Sequence, residues 1–291
     1  MNVRKILIRN AELYSSKPAI IFKDNTIGFL DLKENSFKLA RAFLDLGLKR
    51  QDRIAIYLPN LPEYVYSYIA GWLLGIVCVP LDFMLTQEEV VNFINHSEAK
   101  ILITVSKVRV SLEEVKSRCP SLEKIILCDT EEDKGYFLSL KRILNKTESE
   151  LPEPDFREKD YAIIFYTSGT TGTPKGVLVN YQQLSAPPMA LEYFVDLSPK
   201  DIVLCAVPFS HLGGLVYIQA MLWFGLSFVL MERFIPLEFL KNIPKYKVTC
   251  FWIVPSMYYA MLALKEFEEL DLSSLRWIVT FGASSSADAL R

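Results

Sequence analysis

Residues 167–176 bring together side chains that are suited to holding a polyphosphate. This segment, Thr-Ser-Gly-Thr-Thr-Gly-Thr-Pro-Lys-Gly, contains five hydroxyl side chains, three glycines and one lysine, and it follows the apolar run Tyr161–Tyr166. A triphosphate needs inward-facing backbone N–H groups, hydroxyl donors and a cation, and glycines let the backbone approach it closely. The residues that we expect to contact the phosphates are Thr167, Ser168, Gly169, Thr170, Thr171, Gly172 and Lys175.

The segment is not a P-loop of the Walker type. That motif places Gly-Lys-Ser/Thr at the start of a helix, whereas Lys175 stands between Pro174 and Gly176, ahead of the strand-like run Val177–Val179. The alternative is a plain polar hairpin that connects two strand-like runs. The density of hydroxyl groups and glycines around one lysine favours phosphate binding over that alternative.

Residues 166–176 match, without a departure, the signature loop of the AMP-forming acyl-CoA synthetases, and the chain resembles that family over nearly its whole length. Weaker matches follow in the family's order at Phe29–Leu32, Gly75–Leu81, Leu85–Lys100 and Val254–Tyr258. The resemblance implies an enzyme that uses ATP, Mg²⁺ and CoA, with Thr167 as the candidate metal ligand.

The segment Pro208-Phe-Ser-His-Leu-Gly-Gly214 is a second candidate piece of the site. A single histidine on an apolar background is more often a core residue, but its neighbours resemble the family motif that borders the carboxylate-binding pocket. The resemblance implies that His211 faces the acyl-adenylate and that Gly213 and Gly214 leave room for the substrate.

The segment Phe281-Gly-Ala-Ser284 resembles the part of the family whose backbone passes between the acyl group and the adenine. Gly282 and Ala283 are therefore expected at the nucleotide; the alternative is an ordinary strand-to-helix turn. By the same analogy an acyl pocket would be lined by Leu215, Val254 and Met257, although a core role is an equal alternative for each of them.

The implied reaction is ATP-dependent activation of a carboxylic acid. The carboxylate attacks the α-phosphorus of ATP, pyrophosphate leaves, and a thiol, usually that of CoA, displaces AMP. No carboxylate side chain lies between Asp201 and Glu232 to hold an α-amino group, so a fatty or aryl acid is favoured over an amino acid. Adenylation without CoA transfer, γ-phosphate transfer by a kinase or NTPase, and a non-catalytic nucleotide- or acyl-binding module remain alternatives.

Apolar strand-like runs alternate with helix-like segments, which predicts an α/β fold with two doubly wound, mostly parallel sheets. The charged stretch between Asp129 and Asp160 predicts a boundary, with a first subdomain over residues 1–155 and a second, carrying the phosphate loop, over residues 156–291.

The last residues, 284–291, are typical of a cap and the first turn of a helix. We therefore expect a fragment, truncated before the end of the family's large domain and without its small C-terminal domain. Because the family's later Glu and Lys would follow Arg291, the isolated chain is expected to be inactive.

Composition excludes several other classes of protein. With 291 residues and a net charge of −2, the chain has no basic stripe for nucleic acid. The uncharged run Ile202–Met231 contains Pro208 and a Gly-Gly pair, which favours a buried strand–loop–helix–strand unit over a membrane span. The scattered cysteines and the absence of a signal-peptide core predict a reducing, cytoplasmic location. The hydrophobic content of 51% is compatible with either a large core or a homodimer face.

Overall fold

The computed structural model describes residues 2–146, 148–153, 155, 157–167 and 175–283. The strands are β1 (Pro18–Phe22), β2 (Asn25–Gly28), β3 (Arg53–Tyr57), β4 (Val77–Pro80), β5 (Ile101–Thr104), β6 (Lys124–Leu127), β7 (Phe137–Ser139), β8 (Tyr161–Thr167), β9 (Lys175–Asn180), β10 (Ile202–Cys205), β11 (Ser227–Leu230), β12 (Cys250–Ile253) and β13 (Trp277–Thr280). The helices are α1 (Val3–Leu13), α2 (Phe29–Asp45), α3 (Pro62–Leu73), α4 (Gln87–Ser97), α5 (Leu112–Arg118), α6 (Leu140–Lys146), α7 (Ala186–Phe194), α8 (Leu212–Phe224), α9 (Pro236–Tyr246) and α10 (Pro255–Leu262).

Within the described residues the strands form two sheets. One has the order β7-β6-β5-β3-β4-β8-β9 and the other the order β13-β12-β10-β11-β1-β2. Neighbouring strands are parallel except for the pairs β8–β9 and β1–β2, which are antiparallel. The predicted α/β architecture with two mostly parallel sheets is confirmed.

The central strands of the first sheet, β3, β4 and β5, are buried on both faces, which explains why they are almost continuously apolar. Ile54 and Ile56 of β3 belong to the larger hydrophobic core, which also contains residues of the second sheet. Ala55 and Tyr57, on the opposite face, belong to a smaller core with the apolar sides of α4 and α5. Alternate residues of one strand therefore join two separate cores.

The predicted boundary between residues 155 and 156 does not coincide with a division between the sheets. β1 and β2 come early in the chain but extend the second sheet through parallel pairing of β1 with β11. The strand that leads into the phosphate loop, predicted in the second subdomain, lies instead in the first sheet beside β4. As a boundary between folding units, the division at 155/156 stays a prediction.

Polar contacts at the start of β8 join it to the first half of the chain. Arg50 makes an ion pair with Asp160, with Nε 2.7 Å from Oδ2. The Gln51 side chain donates to the Tyr161 carbonyl at 2.9 Å and accepts from the Tyr161 N–H at 3.0 Å. These contacts join the loop before β3 to the first residue of β8, and they were not predicted from the sequence.

The uncharged run from residue 202 to 231 forms β10, α8 and β11, as predicted. In the part of the chain that the structure describes, no helix is both long and apolar enough to cross a bilayer.

A buried carboxylate fastens the start of the second sheet. Asp201 is 0% exposed and accepts hydrogen bonds from Thr249 Oγ1 at 2.8 Å, Arg276 Nη1 at 2.9 Å and the Ser198 N–H at 2.8 Å. Removing the guanidinium leaves this charge with neutral donors only. A buried charge that loses its partner is strongly destabilising.

We expect Arg276→Met to lower the free energy of unfolding by about 2–3 kcal/mol, below the full effect of an orphaned charge because Thr249 and Ser198 still donate. Urea denaturation measures the change. Arg41→Met is the matched control, since Arg41 and Asp45 form an exposed pair on α2 that should contribute about 0.3–0.5 kcal/mol. Equal losses in the two variants would contradict the role assigned to Asp201.

Candidate active site

The two flanks of the predicted phosphate loop face each other at the end of the β8–β9 hairpin. Thr167 pairs with Lys175 in the antiparallel register, directly after the pair Tyr166–Gly176, and Lys175 is exposed. Five of the predicted phosphate contacts lie outside the described residues: Ser168, Gly169, Thr170, Thr171 and Gly172. The flanking strands form a hairpin, which is compatible with either interpretation, so phosphate binding by residues 167–176 stays a prediction.

His211 lies between the carboxyl end of β10 and the first turn of α8, where it is the N-cap residue. Its Nε2 is 2.9 Å from Oδ2 of Asp82, which follows β4 of the other sheet. The hydrogen bond from His211 is the main cause that lowers the pKa of Asp82, and the Met84 backbone N–H adds a smaller contribution. The pair is partly exposed, so a ligand can reach the His211 ring.

The turn that carries His211 is also held from the first half of the chain. The buried Asn60 side chain donates to the Val207 carbonyl at 3.0 Å and accepts from the Phe209 N–H at 2.9 Å. The Tyr68 hydroxyl donates to the Phe209 carbonyl at 3.0 Å. The backbone around His211 is therefore fixed by side chains that precede it by about 140 residues or more.

Asn60 and Asp82 were missed by the sequence reasoning, although a signal for them exists. Each follows a strand of the first sheet by two or three residues, and ligand-binding groups collect beyond the carboxyl ends of parallel strands. An Asn or Asp at that place is a candidate on topological grounds alone.

The paired glycines after His211 make room for the protein itself. A Cβ on Gly214 would lie 2.1 Å from the Pro208 carbonyl oxygen, and one on Gly213 would lie 2.4 Å from the Phe281 ring. The Pro208 backbone therefore fills the space that a Gly214 side chain would need. That Gly214 also leaves room for a substrate stays a prediction. Leu215 is buried in the larger core, the location that the core alternative predicted for it.

An apolar cavity of about 450 Å³ opens beside Gly213, within the size range of small-molecule pockets. It lies between α7, α8 and the ends of β12 and β13. Every lining side chain is apolar; the principal ones are Phe194, Leu212, Val216, Trp252, Val279 and Phe281. The cavity can accept an uncharged, apolar group.

A second cavity, of about 360 Å³, is more polar and lies on the Asp82 side of the turn. Met257 lines it together with Asn60, Asp82 and Ser210, so this predicted acyl contact borders a different space from the apolar cavity.

The ends of β12 and β13 place Val254 beside Gly282. A Cβ added to Gly282 would lie 3.5 Å from Val254 Cγ1, and Gly282 has a φ of +86°, which only glycine adopts without strain. Ala283 follows and is exposed. The structure thus brings together Val254, a predicted acyl contact, and Gly282, a predicted nucleotide contact, at the carboxyl edge of the second sheet.

A model of the AMP-binding enzyme family matches residues 7–291. The chain belongs to this family. It is 29% identical over 284 residues to 4-coumarate--CoA ligase 2 of Nicotiana tabacum, with 94% of the chain and 51% of that protein covered. It is also 29% identical over 303 residues to the long-chain-fatty-acid--CoA ligase of Bacillus subtilis, with 94% and 54% covered. The chain thus spans about half the length of these curated relatives.

Among solved structures, the fold is similar to that of the anthranilate CoA ligase AuaEII in complex with anthranoyl-AMP. The TM-score is 0.85 at 25% identity, with 96% of the chain and 55% of that protein covered. Members of the family therefore include ligases of fatty and of aryl acids, and the resemblance drawn from the signature loop is confirmed.

Proposed function

We propose that the chain provides the ATP- and acid-binding part of an AMP-forming acid–thiol ligase, which activates a fatty or aryl acid and transfers it to CoA. The observation that carries the proposal is the β8–β9 hairpin, which presents an exposed lysine opposite Thr167 at the mouth of the signature loop. Membership of the AMP-binding family supports the same chemistry.

The first step joins the acid to AMP. A carboxylate oxygen attacks the α-phosphorus, a P–O bond forms, and the bond to the departing pyrophosphate breaks. Lys175 and the loop hydroxyls would hold the β- and γ-phosphates, so that the negative charge on the leaving group is stabilised where it develops. In the second step a thiol sulfur attacks the acyl carbon and AMP leaves with the electron pair of the broken C–O bond.

His211 would border the carboxylate, and Asp82 would hold its ring in place through the bond to Nε2. Gly282, with no side chain, would let the backbone approach the nucleotide, with Ala283 beside it. Positioning of the acid against the α-phosphorus is the main contribution expected from the protein, because no covalent nucleophile is required.

Mg²⁺ would neutralise charge on the phosphate oxygens when it is bound. It prefers oxygen ligands and keeps several waters, so the Thr167 hydroxyl and the triphosphate form a suitable donor set. Across the described part of the chain, no group of three or more His, Cys, Asp or Glu side chains is arranged to hold a metal ion.

The apolar cavity beside Gly213 supports a fatty or aryl acid over a free amino acid. None of its lining residues carries a carboxylate that could hold an α-amino group. The names of the relatives, a long-chain-fatty-acid ligase and a coumarate ligase, agree with that choice.

The test is the identity of the products. The polypeptide as its gene encodes it is incubated with ATP, Mg²⁺, CoA and a panel of long-chain and aryl acids. We expect acid-dependent AMP and acyl-CoA, together with acid-dependent exchange of labelled pyrophosphate into ATP. Release of ADP would assign the loop to γ-phosphate chemistry, and binding of an acyl-AMP analogue without turnover would reduce the protein to a binding module; either result refutes the proposal.

A further inference from the structure

Tyr166, the last residue of β8 before Thr167, is held by α4. Its ring stacks on Phe93 with centroids 4.3 Å apart and planes inclined by 7°. Its hydroxyl oxygen is 2.8 Å from His96 Nδ1 and donates to the Phe93 carbonyl at 3.3 Å. We call Tyr166, Phe93 and His96 the Tyr166 clamp.

One proton arrangement satisfies both polar contacts of the clamp. A phenol has a single O–H and can accept as well as donate. If His96 carries a proton on Nδ1, that N–H donates to the Tyr166 oxygen while the Tyr166 hydroxyl donates to the Phe93 carbonyl. Burial raises the pKa of Tyr166 to about 12, so its hydroxyl keeps its proton at neutral pH.

The helix that carries two residues of the clamp, α4, is held at its start by a cap and along its side by the core. α4 begins with a capping box, in which Thr86 accepts from the Glu89 N–H and Glu89 accepts from the Thr86 N–H at 2.8 Å. Its apolar side is buried in the smaller core. A contact made to α4 is therefore a contact to a helix that packs against the first sheet.

The opposite strand passes close to the clamp. Gly176 pairs with Tyr166, and a Cβ on Gly176 would lie 2.8 Å from Ile164 Cγ2 and 3.6 Å from the Tyr166 ring. The next pair along the hairpin is Thr167 with Lys175. Tyr166, which α4 contacts, is thus adjacent in sequence to Thr167 and one pair away from Lys175, the two residues that flank the predicted phosphate loop.

We propose that His96 is a positioning residue which, acting through Tyr166, fixes the position of the paired Thr167 and Lys175 at the end of the hairpin, where these two residues would meet the phosphates. This inference rests on the proposed function, because it assumes that the loop holds a polyphosphate. His96 is exposed and contributes little to the core. A purely structural Tyr166 would need only its ring, so the hydroxyl and its histidine partner point to orientation and not to packing.

The experiment compares four variants of the 291-residue chain. Tyr166→Phe keeps the stacked ring and removes the hydroxyl, while His96→Ala removes the partner. His96→Asn places an amide near the position of Nδ1 and should restore part of the contact. Asn92→Ala is the matched control, because Asn92 is exposed on the same helix.

Two readouts separate positioning from stability. We expect the Kd for Mg·ATP, measured by calorimetry, to rise about three- to ten-fold in Tyr166→Phe and His96→Ala, the range of one lost hydrogen bond. Hydrogen exchange at the Thr167 and Lys175 amides should accelerate in the same two variants, with thermal unfolding midpoints within about 2 °C of wild type. His96→Asn should lie between wild type and His96→Ala.

The possible failures are distinguishable. If wild type binds ATP and Lys175→Ala weakens binding, but His96→Ala behaves like Asn92→Ala in both affinity and exchange, this inference alone is overturned. A fall in the unfolding midpoint without a change in Kd assigns the clamp to stability and also overturns it. If wild type binds no ATP, the proposed function fails and the inference fails with it.

Discussion

Replacing Lys175 with Ala should weaken ATP binding by about 10- to 100-fold, because a charge-assisted hydrogen bond to a phosphate is worth about 1.5–3 kcal/mol. Lys175 is exposed at the first position of β9, opposite Thr167. Its truncation should remove the cation without disturbing a core. Isothermal titration calorimetry on the 291-residue chain measures the change.

The matched control for Lys175→Ala is Lys159→Ala. Lys159 is also exposed, but it lies at the other end of β8, away from the loop. We expect the control to bind ATP as wild type does, and Lys175→Arg to fall between wild type and Lys175→Ala because it keeps the charge but changes the geometry. Equal affinities in Lys175→Ala and Lys159→Ala would remove the phosphate-binding role and, with it, the proposed carboxylate activation.

Gly214→Ala should lower the free energy of unfolding by about 3 kcal/mol, the upper part of the range for overpacking. In an ordinary helix the same change is stabilising by about 1 kcal/mol, because alanine has the higher helix propensity. At Gly214 the added Cβ would meet the Pro208 carbonyl, which is backbone held in place by its neighbours. Chemical denaturation with urea gives the sign and the size of the effect.

Gly213→Ala is the natural comparison for Gly214→Ala, since it makes the same change one residue earlier on α8. Its Cβ would meet the Phe281 ring, a side chain at the wall of the apolar cavity that can rotate away. We expect a loss of less than about 1 kcal/mol together with a shift of the aromatic signals of Phe281. A Gly214→Ala variant as stable as Gly213→Ala would show that the turn around Pro208 yields readily.

Features encoded by neighbouring residues were predictable from the sequence. The glycine and hydroxyl density of residues 167–176 and the division of the run from 202 to 231 into strand, helix and strand both depend on residues within a few positions of one another. The family resemblance of the signature loop belongs to the same class. Their physical causes, which are backbone freedom and apolar periodicity, act locally.

Features that join distant residues were not predictable. Asp82 contacts His211 across 129 positions, and Asn60 contacts Phe209 across 149. The sequence around Asp82 or Asn60 does not indicate which residue it contacts, because a carboxylate or an amide is equally common in a solvated loop. The place of β8 in the first sheet was not predicted for the same reason, since the Arg50–Asp160 and Gln51–Tyr161 contacts at its start span 110 positions.

The β1–β2 hairpin comes early in the chain but belongs to the second sheet, and this constrains the order in which the chain can fold. β1 has its parallel partner in β11, so a strand made among the first residues must wait until the chain has been synthesised past Leu230. Contacts of such long sequence separation are slow to form, because the entropy of closing the intervening loop is lost before the contact is gained. During translation the β1–β2 ribbon would remain an unpaired edge, a surface on which chaperones act and at which aggregation begins. We therefore expect the second sheet to be completed late in folding. The turn that carries His211 follows β10 of this sheet and would reach its final position only then.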